Sequence, residues 1–191
     1  MSQYDQEQEI FWATGACMFV KSQTFHELDG FDETYFAHME EIDLCWRMKL
    51  HGHKIMVIPS STVYHLGGGT LDYMSPKKVY LNFRNSLFTL FKNYRGRNLF
   101  FKIGFRFLLD YLAFFVFSIK GEFKAAAQIL KAQAHFLAKI SEMKQKRKEL
   151  KEATKGIEFN ASGLYKKSIV FTNFIKRKKH FSELDSRNFN K

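Results

Sequence analysis

Short apolar runs and long helical periods occupy different parts of this chain. Brief apolar runs at 13–20, 54–58 and 62–64 predict strands. A short helix is predicted over 22–28, capped by Ser22, and a second over 41–50, with Gly52 at its C-terminal end. The first 75 residues therefore predict a small mixed sheet with short helices.

After residue 75 the apolar period becomes helical. Ser75 and Pro76 start a helix, with the serine as N-cap and the proline in the first turn. Further helical patterns run over 99–119 and 122–155. The predicted fold class is α/β, a small mixed sheet followed by long α-helices. Three regions are predicted: a mixed unit at 1–75, a helical region at 76–156 and a basic tail at 157–191.

The segment 99–119 is rich in phenylalanine and leucine and is long enough to cross a bilayer. Lys102, Arg106 and Asp110 lie four residues apart, which stacks them as one polar stripe, and each charge is costly at a bilayer centre. We expect a helix lying in the membrane interface, with the stripe toward water and the phenylalanines toward acyl chains. The alternative is a helix buried in a soluble core or a dimer contact.

Charge and cysteine usage bear on location. The chain has a net charge of +11, and residues 141–191 hold fourteen Lys and Arg against six Asp and Glu. Such an excess attracts an anionic phospholipid surface or nucleic acid, or keeps a tail solvated. Cys17 and Cys45 lie in apolar runs without metal-binding spacing, which predicts buried free thiols in a reducing compartment. The polar N-terminus gives no secretory signal, so we expect a cytoplasmic protein, peripheral on the inner face of the cell membrane.

Acidic residues crowd the start of the predicted helix over 41–50. Glu40, Glu41 and Asp43 fall in its first turn, where the helix dipole favours ionised carboxylates. An ionised carboxylate beside open space can act as a general base or a metal ligand, and His65 supplies a second type of ligand. The alternative is that the acids only cap the helix and His65 packs in a core.

Two further features suit a phosphate ligand. The backbone N–H groups of Gly67 and Gly68, in a run of three glycines, could line a diphosphate, although the spacing is not that of a P-loop. Arg84, followed by Asn85, could reach a diphosphate bidentately. A solvent-facing ion pair explains Arg84 equally well.

Five short motifs occur in a fixed order: Trp12-Ala13-Thr14-Gly15-Ala16, Gly30-Phe31-Asp32-Glu33, the acidic run from Glu40 to Arg47, His51-Gly52-His53 and Val63-Tyr64-His65. Their types and order resemble family-two inverting glycosyltransferases, and most of all the bacterial rhamnosyltransferase-like branch. The resemblance is specific over about residues 10–70 and looser to about residue 150. It implies the C-terminal, acceptor-side half of a GT-A-type catalytic domain.

The resemblance also implies roles for single residues. Glu41 would be the catalytic base, at a position where the family usually has Asp, and Glu40 and Asp43 would orient the base or the acceptor. His65 would ligate a divalent metal, Mg or Mn, shared with an Asp-x-Asp motif that this sequence lacks. Arg84, Gly67 and Gly68 would contact the nucleoside diphosphate. The acceptor pocket would include Trp12, Gly15 and Phe36.

The implied function is inverting transfer of a sugar from a nucleoside-diphosphate donor to a hydroxyl of a glycan or lipid-linked acceptor, in cell-surface polysaccharide synthesis. Because the donor-binding half is not recognisable in this sequence, we expect a truncated or split enzyme that is inactive alone and needs a partner chain. Two alternatives stay open: a non-catalytic membrane-surface scaffold or partner subunit, and a nucleic-acid binder. The last is disfavoured, because no groove-reading motif appears.

Overall fold

The computed structural model of the protein describes residues 5–65 and 75–190. Six α-helices and a two-stranded sheet form the framework of the described residues. In chain order the elements are β1 (Gln8–Glu9), α1 (Ser22–Glu27), α2 (Glu40–Leu50), β2 (Met56–Val57), α3 (Pro76–Asn93), α4 (Leu99–Ile119), α5 (Phe123–Ala138) and α6 (Ile140–Ala153). Three 3-10 helices, Glu33–Tyr35, Phe181–Glu183 and Ser186–Asn188, and a π-helical turn at Phe171–Ile175 complete the framework.

The sheet is smaller than the sequence predicts. β1 and β2 pair antiparallel, with Gln8 opposite Val57 and Glu9 opposite Met56. The predicted strand at 54–58 is thus reduced to two residues, and the predictions of strands at 13–20 and 62–64 are wrong. A strand needs a neighbour for its backbone groups. The segment after β1 lies instead along α2, where the Ala13 N–H donates to Cys45 Sγ at 3.5 Å.

The predicted helices are present, with adjusted ends. The helix predicted over 41–50 begins one residue earlier, at Glu40, and α4 has the predicted bounds. Ser75 caps α3 by accepting a hydrogen bond from the Lys78 N–H, as predicted. The pattern predicted as one helix over 122–155 forms α5 and α6, which meet at Lys139. The architecture is mostly helical with a small sheet, which is compatible with the α/β class.

α3 is the central helix of the molecule, since α2, α4, α5 and α6 all pack against it. Its apolar face contributes to two buried clusters, because helical spacing places residues three and four apart on one side. One cluster comprises Tyr35, Leu87, Phe88, Phe91, Leu99, Phe136 and Met143, and the other Val79, Ala125 and Ile129. This core fixes the position of the loop that leads into α2.

The polar stripe of α4 faces the protein, not water. Asp110 is 1% exposed and accepts a hydrogen bond from Arg106 Nε at 2.6 Å. Arg106 also stacks over the Phe83 ring of α3, at 5.4 Å from its centroid. The expectation that the stripe faces water is therefore wrong, whereas many of the helix's phenylalanines do face outward. Within the described ranges no helix has an apolar stretch long enough to cross a membrane.

The segment after α6 returns to the N-terminal part. Asn160 donates hydrogen bonds to the Glu9 carboxylate at 2.6 Å and to the His53 carbonyl at 3.0 Å. Gly163 approaches the chain so closely that a Cβ there would lie 2.6 Å from the Phe11 backbone nitrogen. Residues 157–165 therefore pack onto the small sheet. The rest of the predicted basic tail, from residue 166 onward, follows them.

Candidate functional site

Asp43, in the first turn of α2, lies at the centre of a buried charge network. Its carboxylate is 0% exposed and accepts hydrogen bonds from Arg47 Nε at 2.9 Å and Lys92 Nζ at 2.9 Å. Tyr35 and Asn93 donate to its other oxygen, at 3.1 and 2.7 Å. Four donors saturate this carboxylate, so Asp43 anchors α2 against α3 and offers no open oxygen to a substrate.

Asp32 extends the network toward α6. Lys92 Nζ and Lys146 Nζ each donate to its carboxylate at 2.6 Å. Burial alone would raise the pKa of Asp32, but the two ammonium groups outweigh it and hold that pKa well below the ordinary 3.8. The network therefore connects α2, α3 and α6 through charged side chains that would be costly to bury unpaired.

The loop between the 3-10 helix and α2 has a strained backbone. Phe36, His38 and Met39 have φ of 63°, 65° and 73°, a left-handed region that non-glycine residues rarely adopt. The amide of Asn85 holds this loop by donating to the carbonyls of Tyr35, Ala37 and His38 at 3.0, 2.8 and 2.7 Å. A buried side chain of α3 thus stabilises the strained loop that directly precedes the acidic turn.

Arg84, the residue before Asn85, also donates hydrogen bonds to this part of the chain. Its guanidinium donates to the carbonyls of Thr34 and Tyr35 at 2.9 and 3.0 Å and to Asn85 Oδ1 at 2.8 Å. The side chain is 8% exposed. Because these donors already have partners, the structure places Arg84 as a support of the loop, and neither a diphosphate nor a solvent-facing ion pair is involved in these contacts.

Glu41 has different surroundings from Asp43, although both belong to the first turn of α2. The Glu41 side chain lies beside Gly15, where an added Cβ would lie 3.8 Å from Glu41 Cγ. The second oxygen, Oε2, is shielded from water and has no hydrogen-bond partner among the described residues. The structure therefore brings the predicted residues Gly15 and Glu41 together and leaves one carboxylate oxygen buried without a hydrogen-bond partner.

The local environment makes Glu41 a stronger base than an ordinary glutamate. Burial raises its pKa above the ordinary 4.5, and the neighbouring Glu40 raises it further; together they outweigh the lowering effect of nearby backbone N–H groups and of His38. Glu40 Oε2 and His38 Nε2 are also buried without a partner in the part of the chain that the structure describes. Buried polar atoms are normally paired, so these unpaired atoms make the acidic turn the candidate position for a polar ligand.

A cavity of about 1190 Å³ lies beside this turn. Trp12 and His65 line it, as do Thr14 and Ala16, the two neighbours of Gly15. Glu41 is not among the described residues that line the cavity; it contacts Gly15 at the cavity's border. Trp12 is 46% exposed, which leaves an aromatic face available there.

Other predicted site residues lie apart from this arrangement or outside the described ranges. Phe36 is 73% exposed, and Lys77 Nζ lies over its ring at 4.5 Å. Gly67 and Gly68, predicted to line a diphosphate, lie outside the described residues. His65 is exposed at the cavity, and the described residues hold no group of three or more His, Cys, Asp or Glu side chains suited to a metal ion.

The prediction that both cysteines are buried is half correct. Cys45 is buried beneath the segment after β1, and burial raises its pKa. Cys17 is exposed and lines the cavity. The sequence did not distinguish them, because both lie in apolar runs and only Cys45 lies on the inner face of a helix.

Sequence reasoning missed three supporting residues: Asn85 as the holder of the loop, Lys92 as the partner of Asp43, and His38 beside Glu41. Lys92 is 3% exposed. Lysine is rarely buried unless it is paired, so a lysine on the buried side of an amphipathic helix indicates a buried carboxylate partner. The helical period of α3 places Lys92 and Asn85 on its buried side, which was the available signal.

Comparison with known proteins gives partial matches. Over 59 residues, 31% of this chain, it is 37% identical to the N-acetylglucosaminyl-diphospho-decaprenol L-rhamnosyltransferase of Mycobacterium tuberculosis, in both the CDC 1551 and the H37Rv strains, and the match covers 19% of that enzyme. Over 56 residues, 29% of this chain, it is 37% identical to the rhamnosyltransferase WbbL of Escherichia coli K12, covering 21% of it.

The chain thus spans about a fifth of the length of the curated relatives that it matches. No family model matches the chain. No solved structure matches it either. The matches relate about a third of the chain to glycosyltransferases.

Proposed function

We propose that this chain supplies the acceptor-side part of an inverting glycosyltransferase. The reaction would move a sugar, of the rhamnosyl or another hexosyl class, from a nucleoside diphosphate to a hydroxyl of a glycan or lipid-linked acceptor. The observation that carries the proposal is Glu41, a carboxylate with a raised pKa that lies beside Gly15 and has one buried oxygen without a hydrogen-bond partner among the described residues. The partial similarity to two rhamnosyltransferases supports it.

The proposed chemistry assigns one role to each of three side chains. Glu41 takes the proton of the acceptor hydroxyl as its oxygen bonds to the anomeric carbon, and the bond from that carbon to the diphosphate breaks. A pKa raised toward the working pH makes the carboxylate a better proton acceptor in this step. Trp12 offers an aromatic face to a sugar ring, and Asp43 holds the helix that carries Glu41.

Donor binding requires more than the described residues. The sequence has no Asp-x-Asp spacing, and the described side chains do not by themselves form a metal site. If a divalent cation neutralises the leaving diphosphate, His65 would be this chain's ligand to it, together with ligands from a donor-binding half in the same polypeptide or in another chain.

The test is a transfer assay with the full chain and a separately supplied rhamnosyltransferase donor-binding half. The substrates are a radiolabelled nucleoside-diphosphate rhamnose and an N-acetylglucosaminyl-diphospho-lipid, the acceptor class in the name of the mycobacterial relative. We expect Glu41→Gln to lower kcat about 10²- to 10⁴-fold, the usual contribution of a general base. Product formation is followed by thin-layer chromatography.

The matched control is Glu33→Gln, which removes an exposed carboxylate near the same loop and should leave the rate unchanged. Transfer by Glu41→Gln at the rate of the unmodified protein would contradict the proposed base. Calorimetry of the chain alone with Mn²⁺ and a nucleoside diphosphate should show binding no tighter than about millimolar. Micromolar binding would contradict the assignment of donor binding to another half.

A non-catalytic membrane-surface scaffold is the second candidate, and the outward phenylalanines of α4 favour it. The transfer assay separates the two, because a scaffold would give no product with any donor-binding half. Product that depends on Glu41 excludes the scaffold as the chain's sole role.

A further inference from the structure

The outer face of α4 is apolar from one end of the helix to the other. At 100° per residue its exposed apolar side chains, together with Gly104, fall within an arc of about 160°. Lys102, Arg106 and Asp110 lie on the opposite side: Lys102 Nζ lies over the Tyr94 ring, Arg106 lies over the Phe83 ring of α3, and Asp110 is buried. The outward side chains are Phe100, Phe101, Phe105, Leu108, Tyr111, Leu112, Phe115, Val116 and Ile119.

α5 extends this surface. Phe123, Leu130 and Leu137 are 68, 40 and 55% exposed and follow one another at two-turn spacing along α5. α5 itself packs against α4: Phe107 of α4 contacts Phe136, and Ala113 and Phe114 of α4 pack against the cluster that includes Ala125 and Ile129. We call the outward face of α4 and this stripe of α5 the α4–α5 surface.

Exposed cations lie at both ends of α4 and at the start of α5. Arg97 is exposed before α4, Lys120 follows it, and Lys124 is exposed in the first turn of α5, whereas Lys131 Nζ lies over the Tyr80 ring of α3 at 5.4 Å. Over residues 95–139 the sequence has eight Lys and Arg but two carboxylates, the inward-facing Asp110 and the half-buried Glu122. An uncharged surface with a rim of a single sign selects for a partner of the opposite sign.

We propose that the α4–α5 surface docks onto an anionic phospholipid bilayer, with the two helices lying in the plane of the interface. The phenylalanines would enter the boundary between headgroups and acyl chains, and the lysines would contact anionic headgroups. This inference does not depend on the proposed transferase function.

A second copy of the chain fits the same surface less well. A two-fold interface brings the same patch of both copies together, so the rim of each copy would face the rim of the other. The exposed cations Arg97, Lys120 and Lys124 would then approach one another, and the half-buried Glu122 is the only carboxylate near them in the sequence. Repulsion of like charges at the rim opposes such a dimer, whereas an anionic bilayer is attracted to every rim residue.

The first test is flotation of the full chain with vesicles of 70% phosphatidylcholine and 30% phosphatidylserine (mole fractions of about this size). We expect Phe101→Ser together with Phe115→Ser to lower the partition coefficient on the order of tenfold or more, because each removes a large apolar side chain from the contact. The matched control is Phe19→Ser together with Tyr64→Ser, two aromatic residues that are 93 and 96% exposed outside the α4–α5 surface. The control should float like the unmodified protein.

The second test separates the rim from the protein's general basic charge. Lys120→Ser with Lys124→Ser should lower partitioning about fivefold per lysine. The unmodified chain should bind pure phosphatidylcholine vesicles less tightly than vesicles that contain phosphatidylserine. Lys144→Ser with Lys148→Ser removes the same charge from exposed positions of α6 and should have a clearly smaller effect.

Equal flotation of the phenylalanine variant and its control would overturn the proposal. A concentration-dependent dimer in sedimentation velocity that Phe101→Ser with Phe115→Ser dissolves, without loss of flotation, would assign the surface to a second copy instead. Circular dichroism melting checks that the variants fold, and outward substitutions should leave Tm nearly unchanged. The transfer assay with soluble acceptor is a separate readout, so failure of membrane docking and failure of the transferase proposal are distinguishable.

Discussion

Glu41 and Asp43 show how two carboxylates in one helical turn acquire different roles. Asp43 points into the protein and meets four donors, so its charge is fully compensated. Glu41 points toward Gly15 and keeps one oxygen unpaired among the described residues. At 100° per residue their positions differ by about 200° around the helix axis, so the two side chains leave the helix on nearly opposite sides although they are two residues apart in the sequence. Only one of the two is therefore suited to accept a proton.

Asp32 predicts a dependence of stability on pH. Its pKa in the folded protein lies below the ordinary 3.8, since Lys92 and Lys146 outweigh the effect of burial. A lowered pKa means that the unfolded chain binds the proton more readily, so this stabilisation is present above about pH 4 and is lost as the pH falls. We expect the unmodified protein to lose about 2 kcal/mol more than Asp32→Asn between about pH 5 and pH 2, by urea unfolding.

The control for this titration is Asp29→Asn, an exposed carboxylate three residues away. It should leave the slope of stability against pH as in the unmodified protein. If Asp32→Asn shows the same slope as the unmodified protein, the ion pairs with Lys92 and Lys146 do not contribute to acid sensitivity.

At the level of elements, the helices followed from the sequence and the strands did not. The periodicity of α4 and the Ser75 cap of α3 are local properties, so sequence reasoning located them. Residues 13–20 have the composition of a strand but no neighbouring strand to pair with, and they pack along α2 instead. The stripe of α4 was placed correctly on one face, but its direction depends on Phe83 and the other residues that α3 presents, which are distant in sequence.

The same limit applies to the candidate site. The acidic turn, Gly15 and the cavity-lining Trp12 were recognised from motifs. Whether Arg84 meets a ligand or a backbone carbonyl depends on the path of residues 34–38, which tertiary contacts determine. Motifs therefore pointed to the turn of the candidate site, and the fold determines which of its side chains already have hydrogen-bond partners.

The loop that enters α2 gives a prediction at the element scale. Asn85→Ala removes the side-chain donor to the carbonyls of Ala37 and His38 and one of the two donors to the Tyr35 carbonyl, which keeps Arg84. We expect this loss to cost about 2–3 kcal/mol of unfolding free energy. Because that loop positions the turn that bears Glu41, kcat in the transfer assay should fall as well. Urea unfolding and the transfer assay measure the two effects.

Asn98→Ala is the matched control for this substitution, because Asn98 is an exposed residue with a single side-chain contact, to Tyr94. Its stability should remain within about 0.5 kcal/mol of the unmodified protein. An Asn85→Ala protein as stable as Asn98→Ala would show that the strained loop holds its conformation without the amide.

On the scale of the whole molecule, two apolar surfaces are formed by different secondary-structure elements. The α4–α5 surface belongs to the helical part, and the cavity with its exposed residues belongs to the segments around the small sheet. Contiguous exposed apolar surface on a protein usually marks a contact with a membrane or another chain. Since the matched relatives are about five times as long as the matched region, we expect the sheet side to contact a donor-binding half.

Thiol labelling tests that contact directly, because the two cysteines differ in exposure. Cys17 is exposed at the cavity and should react with a thiol reagent in the native state, whereas the buried Cys45, whose pKa burial raises, should react only after unfolding. Adding a donor-binding half that covers the cavity should slow the labelling of Cys17 about tenfold or more, as burial withdraws the thiol from solvent. Mass spectrometry of the labelled peptides assigns each rate to its cysteine. An unchanged Cys17 rate in a mixture that makes product would show that the donor-binding half docks elsewhere, and the apolar lining of the cavity would then belong to the acceptor alone.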